Sequence, residues 1–408
     1  MKKLVVLAVL CFGTTICVDV STKADDTGCV IDLDCEECLP DSMPLITSHN
    51  ATGSRLELSH DESAVLWCGA GRFLAATRAM LVVRCSHGRY RLPDGTTKHL
   101  LELGCQQDVI EDVLHPVSQC GGGYQGRAYR VSAVAGGSEH LATLCYDGDR
   151  AVVLRAHVAP SRALHLPPHQ DARAPLSLFA NFNEMFDARN RRDAERLFSD
   201  NGKLNHRFKE LLAPFKTALG EQTLMPTPIL SARFFRPQER RASKLASNTV
   251  LAWRGVARGN WHHLHEDVEH LARRLPQLLV WAGTHGQGSV RGDSERVPLI
   301  AGTEGRFPVP KYLWTVVFDP SSNRGLAVIV LNDPLVSVSE VRDAVFCESS
   351  CGRASWLKHL TRQRRYEAPA LGLAFCCFVH DIARIKEFPQ ELTRNVSRSL
   401  DGALYDVV

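Results

Sequence analysis

The stretch Gly259-Asn260-Trp261-His262-His263-Leu264-His265-Glu266-Asp267-Val268-Glu269-His270 holds four histidines and three carboxylates in one helical-looking run. A zinc-protease helix would need His-Glu-x-x-His, because residues four apart share a helix face. Here the next histidine after His265-Glu266 is His270, five residues on from His265 and about 140° around the helix from it at roughly 100° per residue. Two pairs do keep the four-residue spacing, His262 with Glu266 and His265 with Glu269, but two ligands do not complete a metal site. With Leu264, Val268 and Leu271 packing inward, the plain reading is an amphipathic helix with a charge-rich outer face.

Outward from that helix, the chain of 408 residues is long enough for two domains. Lys2 and Lys3 precede the apolar run from Leu4 to Phe12, and Thr15 and Cys17 supply small residues before a cleavage point. Residues 1–17 therefore read as a secretory signal peptide. Neither that run nor the one from Ala368 to Val379 is long enough to span a bilayer, so a secreted, extracellular protein with no membrane segment is expected. Of fourteen cysteines, twelve follow the signal, eight between Cys29 and Cys145 and four between Cys347 and Cys377. An even number in a secreted chain reads as a disulfide framework. Cys35-Glu36-Glu37-Cys38 has no second pair at metal-site spacing in its half of the chain. Neighbouring cysteines point apart, so Cys347 and Cys351 are expected to pair with Cys376 and Cys377 in some order. Asn50-Ala51-Thr52 and Asn395-Val396-Ser397 are glycosylation sequons at Asn50 and Asn395.

Short apolar runs such as Ala64-Val65-Leu66-Trp67 and Met80-Leu81-Val82-Val83, split by glycine-containing turns, predict a small cysteine-stapled β domain over residues 26–135. Beyond it come strand-like runs at Leu141–Tyr146 and Ala151–Leu154. A helical texture follows from Asn183 to Phe215, then a helix from Trp261 to about Arg274. Strands at Leu278–Ala282, Tyr312–Phe318 and Gly325–Leu331 complete an α+β domain over residues 136–390, and residues 391–408 read as a tail. Charge is uneven: residues 18–135 carry a net of −6 and residues 136–408 a net of +7. The basic half is the better candidate for a polyanion.

Several stretches together resemble the DNA/RNA non-specific endonucleases, in the secreted form known from arthropods. They are Gly259-Asn260-Trp261, Val280-Trp281-Ala282-Gly283-Thr284, Val309-Pro310-Lys311-Tyr312-Leu313-Trp314 and Leu331-Asn332-Asp333-Pro334. The tail adds Cys347-x-x-x-Cys351, Trp356-Leu357 and Cys376-Cys377. The resemblance implies a ββα-metal nuclease-like domain preceded by a small disulfide-rich β domain. It also implies DNA or RNA as the partner, a histidine base acting on water, and Mg2+ held by an asparagine and waters. A glutamate would orient metal-bound water, and arginines would bind phosphate.

Anchored on Trp261, the family's metal asparagine falls on Ala257, its glutamate on His265 and its helix arginine on Glu269. The catalytic Arg-Gly-His segment falls on Met225-Pro226-Thr227, so Thr227 stands where the base is expected. It lies ahead of Ala232-Arg233-Phe234, which resembles an Ala-Asp-Phe stretch. Asn248 matches a supporting asparagine. Threonine does not titrate near neutral pH, and alanine cannot ligate a metal. The resemblance thus implies an inactive or impaired nuclease that retains nucleic-acid binding, with Arg233, Arg236, Arg240, Arg241, Lys244, Arg254 and Arg258 as a phosphate-binding strip. One alternative is an active enzyme with a rebuilt site on His262, His265, Glu266 and Glu269, which would favour Zn2+ or Mn2+. Another is a secreted structural protein with a protein partner.

Overall fold

The computed structural model describes residues 28–400 apart from 49–53, 117–119, 121–122, 133–136, 161–184, 200–221, 292–295, 383–387, 389–395 and 397. The expected signal peptide, the asparagines of both sequons and much of the helical texture expected from Asn183 to Phe215 lie outside the described residues.

The chain begins with strands β1 (Cys29–Asp32), β2 (Leu45–Ile46), β3 (Arg55–Leu58), β4 (Ser63–Trp67), β5 (Met80–Ser86), β6 (Arg89–Arg91) and β7 (Thr97–Lys98). β1 pairs with β3, and a five-stranded sheet runs in the order β2-β4-β5-β6-β7. Along β5 the side chains alternate between exposed and buried, as a sheet with one solvated face requires. Disulfides Cys29–Cys85, Cys35–Cys38 and Cys68–Cys105 staple this part.

Next come β8 (Ile110–Leu114), β9 (Gln125–Ser132), β10 (Ser138–Asp147) and β11 (Val152–Val158), then helix α1 (Ala188–Ser199). Strands β12 (Leu224–Pro228) and β13 (Thr249–Trp253) form an antiparallel pair, followed by helices α2 (Arg254–Arg258) and α3 (Asn260–Arg274). The chain continues through β14 (Leu279–Gln287), the short pair β15 (Ser289–Arg291) and β16 (Arg296–Pro298), β17 (Pro310–Asp319) and β18 (Arg324–Leu331). It closes with α4 (Val338–Ala344), α5 (Lys358–Thr361), β19 (Ala374–Cys377) and β20 (Arg398–Ser399). The fold is α+β.

A nine-stranded sheet in the order β19-β18-β17-β14-β11-β10-β9-β8, with β20 beside β18, is the backbone of the molecule. Two boundaries expected from sequence change here. The sheet crosses residue 135 without a break, because β9 and β10 form a hairpin with Ser132 opposite Ser138. The strands on either side of that expected border pair with each other, so β8 and β9 belong to the central sheet. The tail expected from residue 391 is partly built in: β20 pairs with β18, and Leu400 is fully buried.

Strand periodicity explains why β17 and β18 are apolar throughout. Leu313 and Val317 of β17, with Leu326, Val328 and Val330 of β18, face the core that contains α3. Tyr312, Trp314, Val316 and Phe318, with Ala327, Ile329 and Leu331, face a second core closed by Ala344, Ile382 and Phe388. Helix α3 buries Trp261, Leu264, His265, Val268, Leu271 and Ala272, an i, i+3, i+4, i+7 stripe. Gly259 joins α2 to α3 at a point where a Cβ would lie 2.3 Å from the Gly255 carbonyl oxygen and 2.7 Å from that of Leu371. No larger residue fits that turn.

The motifs that carry the resemblance act as clamps. Asn260 Nδ2 donates to the carbonyls of Arg365 and Gly372. Asn332 accepts from Trp253 N and donates to the carbonyls of Leu251 and Pro310, joining β13 to the central sheet. Cys347 bonds to Cys377 and Cys351 to Cys376, while Cys120 bonds to Cys145. Replacing Cys351 and Cys376 together with serine releases a loop with a sequence separation of 25 residues. It should lower unfolding free energy by about 3 kcal/mol in a denaturant titration; no loss would mean that the loop's own packing already closes it.

Candidate functional site

The β12–β13 hairpin and α3 together make a strand–strand–helix unit. Trp261 Nε1 donates to the Pro228 carbonyl at 3.1 Å, pinning the start of α3 to the end of β12. Asn248 holds the next segment. It accepts from Leu230 N at 2.9 Å and donates to the carbonyls of Leu230 and Ser243, both at 2.8 Å.

Between β12 and α3 lies a pocket of about 30 Å³, lined by Thr227, Ser231, Ala257, Arg258, His262 and His265 among others. That is room for roughly one water molecule. Three of the four positions that resemblance marks as functional, 227, 257 and 265, therefore share one concavity, although Thr227 lies 30 and 38 residues before the other two. Ser231 was missed in the sequence, where nothing sets it apart from other loop serines.

The chemistry of that pocket is spare. Thr227 is nearly buried and its Oγ1 donates to the Met225 carbonyl at 3.2 Å. Position 257 offers a methyl group. His265 lies inside the apolar stripe, edge-on to Trp261 at 4.4 Å and to Phe234 at 5.2 Å between ring centroids. Burial, with lesser contributions from His262 and Arg233, holds its imidazole well below the usual histidine range. It is neutral at physiological pH, and its Nε2 is buried without a hydrogen-bond partner.

These donors do not fit a magnesium ion. Mg2+ takes oxygen ligands, normally with at least one carboxylate, and no described lining residue of the pocket is acidic. The alternative ligand set for Zn2+ or Mn2+ is not assembled either. Among the described residues no group of three or more His, Cys, Asp or Glu is placed to hold a metal. Glu266 is shared by two histidines, 3.4 Å from His262 Nε2 and 3.1 Å from His263 Nδ1. Burial would raise its carboxyl, but those hydrogen bonds and the Arg233 charge hold it well below the carboxylate range. His265 points into the core.

Glu269, at the fourth position, is drawn away from the pocket. It is 3% exposed and accepts from Arg233 Nη1 at 2.6 Å and Arg273 Nη2 at 2.5 Å. Resemblance expects an aspartate at 233 and an arginine at 269, so this chain places the same two positions in a pair of reversed sign. A buried carboxylate needs such a partner.

The basic strip is also corrected. Arg233 is committed to Glu269. Arg236 Nε donates to Glu239 at 2.6 Å, and its Nη2 donates to Glu139 of β10 at 2.5 Å. Arg240 pairs with Asp34, and Arg241 donates to the carbonyls of Asp41 and Pro40. Between them Gln238 exchanges hydrogen bonds with the backbone of Ile46. These side chains clasp residues 34–46 and β10 against the loop after β12. Lys244 and Arg254 are half-buried, while Arg258 is exposed at the pocket rim.

The buried histidines set a pH dependence. Burial lowers His157, beside Trp281, to about 4, and holds His265 well below the usual histidine range. Both stay neutral in the folded chain while the unfolded chain takes up protons below about 6.5. Stability contributed by these groups is therefore intact above pH 6.5 and lost as pH falls toward 4. Thermal melts of His265→Asn and the unmodified protein should differ in slope across that window; parallel curves would show that His265 titrates normally.

The comparisons with known proteins follow this geometry. A family model described as DNA/RNA non-specific endonuclease matches residues 230–381. "Salivary endonuclease" of Lutzomyia longipalpis is 21% identical over 323 residues, 75% of this chain and 72% of that one. "Salivary protein Tsal1" of Glossina morsitans morsitans is 21% identical over 236 residues, 56% of this chain and 55% of that one. Among solved structures, the EndoG/EndoGI complex is similar at 15% identity with a TM-score of 0.32, covering 49% of this chain and 75% of that chain.

Proposed function

We propose that the chain, whose residues 230–381 match the DNA/RNA non-specific endonuclease family model, is a secreted nuclease-fold protein that binds nucleic acid without cleaving it by the family's magnesium route. The observation that carries this reading is the convergence of Thr227, Ala257 and His265 on one pocket. Together they leave it without a titratable base at 227, without a metal ligand at 257 and without a carboxylate at 265.

Each chemical step then lacks its agent. Thr227 Oγ1 has no means of taking a proton from water near neutral pH. The neutral His265 has a free basic nitrogen, but burial against Trp261 and Phe234 keeps it from the outer pocket. What remains is shape and positive charge: a concave site with Arg258 at its rim and no acid in its described lining. A phosphodiester lying across that rim meets Arg258, while the pocket itself holds about one water molecule. Secretion is supported by the six disulfides of the described residues and by the salivary names of the two relatives.

Because several arginines of the strip serve internal contacts, binding should rest on few phosphates. Fluorescence anisotropy of a labelled duplex in EDTA should give measurable affinity that falls with salt at a log–log slope of roughly 4 or less. No binding at low salt, or binding indifferent to salt, would refute the nucleic-acid role and favour a protein partner.

A further inference from the structure

A second cavity, of about 240 Å³, opens on the other side of α3, against the start of α5. His270 and Arg274 line it from α3, and Lys358 and His359 from α5, with Trp356 in the wall. Asp267 is the one carboxylate among the described lining residues. Its charge is already engaged, since it accepts from the backbone N–H groups of His359 and Leu360, both at 2.9 Å, and contacts His359 Nδ1 at 2.8 Å.

That arrangement orients His359. With Nδ1 held by Asp267, ring nitrogen Nε2 is left for the cavity. The His270 and His359 rings lie nearly parallel and stacked on each other, 20° apart with centroids 5.2 Å from each other, and Trp356 shares the lining with them. Arg274 and Lys358 are exposed at the mouth. The cavity therefore combines exposed cationic donors at its rim with ring side chains in its lining.

We propose that this cavity binds a nucleoside monophosphate, with the phosphate on Arg274 and Lys358 and the base against Trp356 and the paired imidazoles. A phosphate monoester accepts several charge-assisted hydrogen bonds at once, and arginine and lysine are its usual partners. A base offers the face that stacked rings and a tryptophan wall recognise. The site is separate from the Thr227 pocket, so it stands whether or not that pocket binds phosphodiester.

The test is isothermal titration of the whole protein in EDTA with adenosine monophosphate, adenosine and inorganic phosphate in turn. Adenosine monophosphate should bind with one-to-one stoichiometry, and adenosine and phosphate each at least tenfold more weakly. The double variant Arg274→Gln with Lys358→Gln should lose at least tenfold in affinity for the nucleotide. Both side chains are exposed, so its thermal midpoint should stay within about 2 °C of the parent. Undiminished nucleotide binding in that variant, or equal affinity for adenosine, would overturn the proposal. Inorganic phosphate binding as tightly as the nucleotide would overturn the base contact and with it the ligand named here. A single Arg274→Glu variant, measured in parallel, gives the same reading should the double variant fold poorly.

Discussion

Thr227→His, Ala257→Asn and His265→Glu introduced together should produce magnesium-dependent cleavage above the background level expected of the unmodified chain, while Thr227→His alone should restore almost nothing. The three side chains line one pocket, so each missing function can be rebuilt at its own position. A positioned general base contributes ~10²–10⁴ in rate, and a metal that polarises the phosphoryl oxygen contributes several kcal/mol more. Neither is gained without the other, because a base has no activated phosphate to work against and a metal has no ligand at Ala257. The pair Thr227→His with Ala257→Asn should therefore exceed either single change. Restoring a carboxylate at 265 should add to it, with Arg233 close enough to compensate its burial. Plasmid nicking with magnesium, read against an EDTA control, measures this. Equal activity in the single and triple variants would mean that these positions do not act as one site.

The second large effect concerns stability. Removing one member of the Arg233–Glu269 pair leaves the other charged and buried, since both side chains are 3% exposed. Arg233→Ala should cost about 3 kcal/mol, the low end of the range for breaking a buried pair, because Glu269 keeps Arg273 as a partner. The reversed pair Arg233→Asp with Glu269→Arg should recover part of that loss, held below full recovery by Arg273, which now contacts Glu269. Denaturant midpoints of the three proteins decide it. If Arg233→Ala is neutral, the pair is incidental, and the reversal of sign at these positions has no structural meaning.

That pair also shows where sequence reading stops. The helix from Trp261, the strands at β14, β17 and β18 and the cysteine framework were legible because each follows a local rule: a 3.6-residue stripe, continuous apolar runs, an even cysteine count. Ala257, His265 and Glu269 are assigned only through spacing from Trp261, and Thr227 by counting back from Ala232-Arg233-Phe234; the fold brings three of the four to one pocket. The strip from Arg233 to Arg258 misled, because an arginine reads the same whether it meets solvent, a buried carboxylate or a distant carbonyl. Its partners lie far off in sequence: Asp34 is 206 residues from Arg240, and Glu139 is 97 from Arg236. The border expected at 135 failed for a related reason. Two strands that follow each other look alike whether a domain border or a hairpin joins them, and only the pairing of Ser132 with Ser138 distinguishes the two cases.

The histidine-rich run answers to its burial rather than its composition. His265 and Glu269 occupy the core side of α3, where a charge must be neutralised or paired, and the chain does one of each. His262, His263 and Glu266 interact among themselves at its edge. The run keeps the helix in place without assembling a ligand set among the described residues.

The most direct measurement is a cleavage assay on the secreted, purified protein with supercoiled plasmid and single-stranded RNA, in magnesium and in EDTA. The account expects equal, background-level nicking in both, alongside retained binding of the same substrates. Robust cleavage in magnesium that EDTA abolishes, and that a contaminant control excludes as foreign, would contradict it and place a working base and metal site elsewhere in the chain.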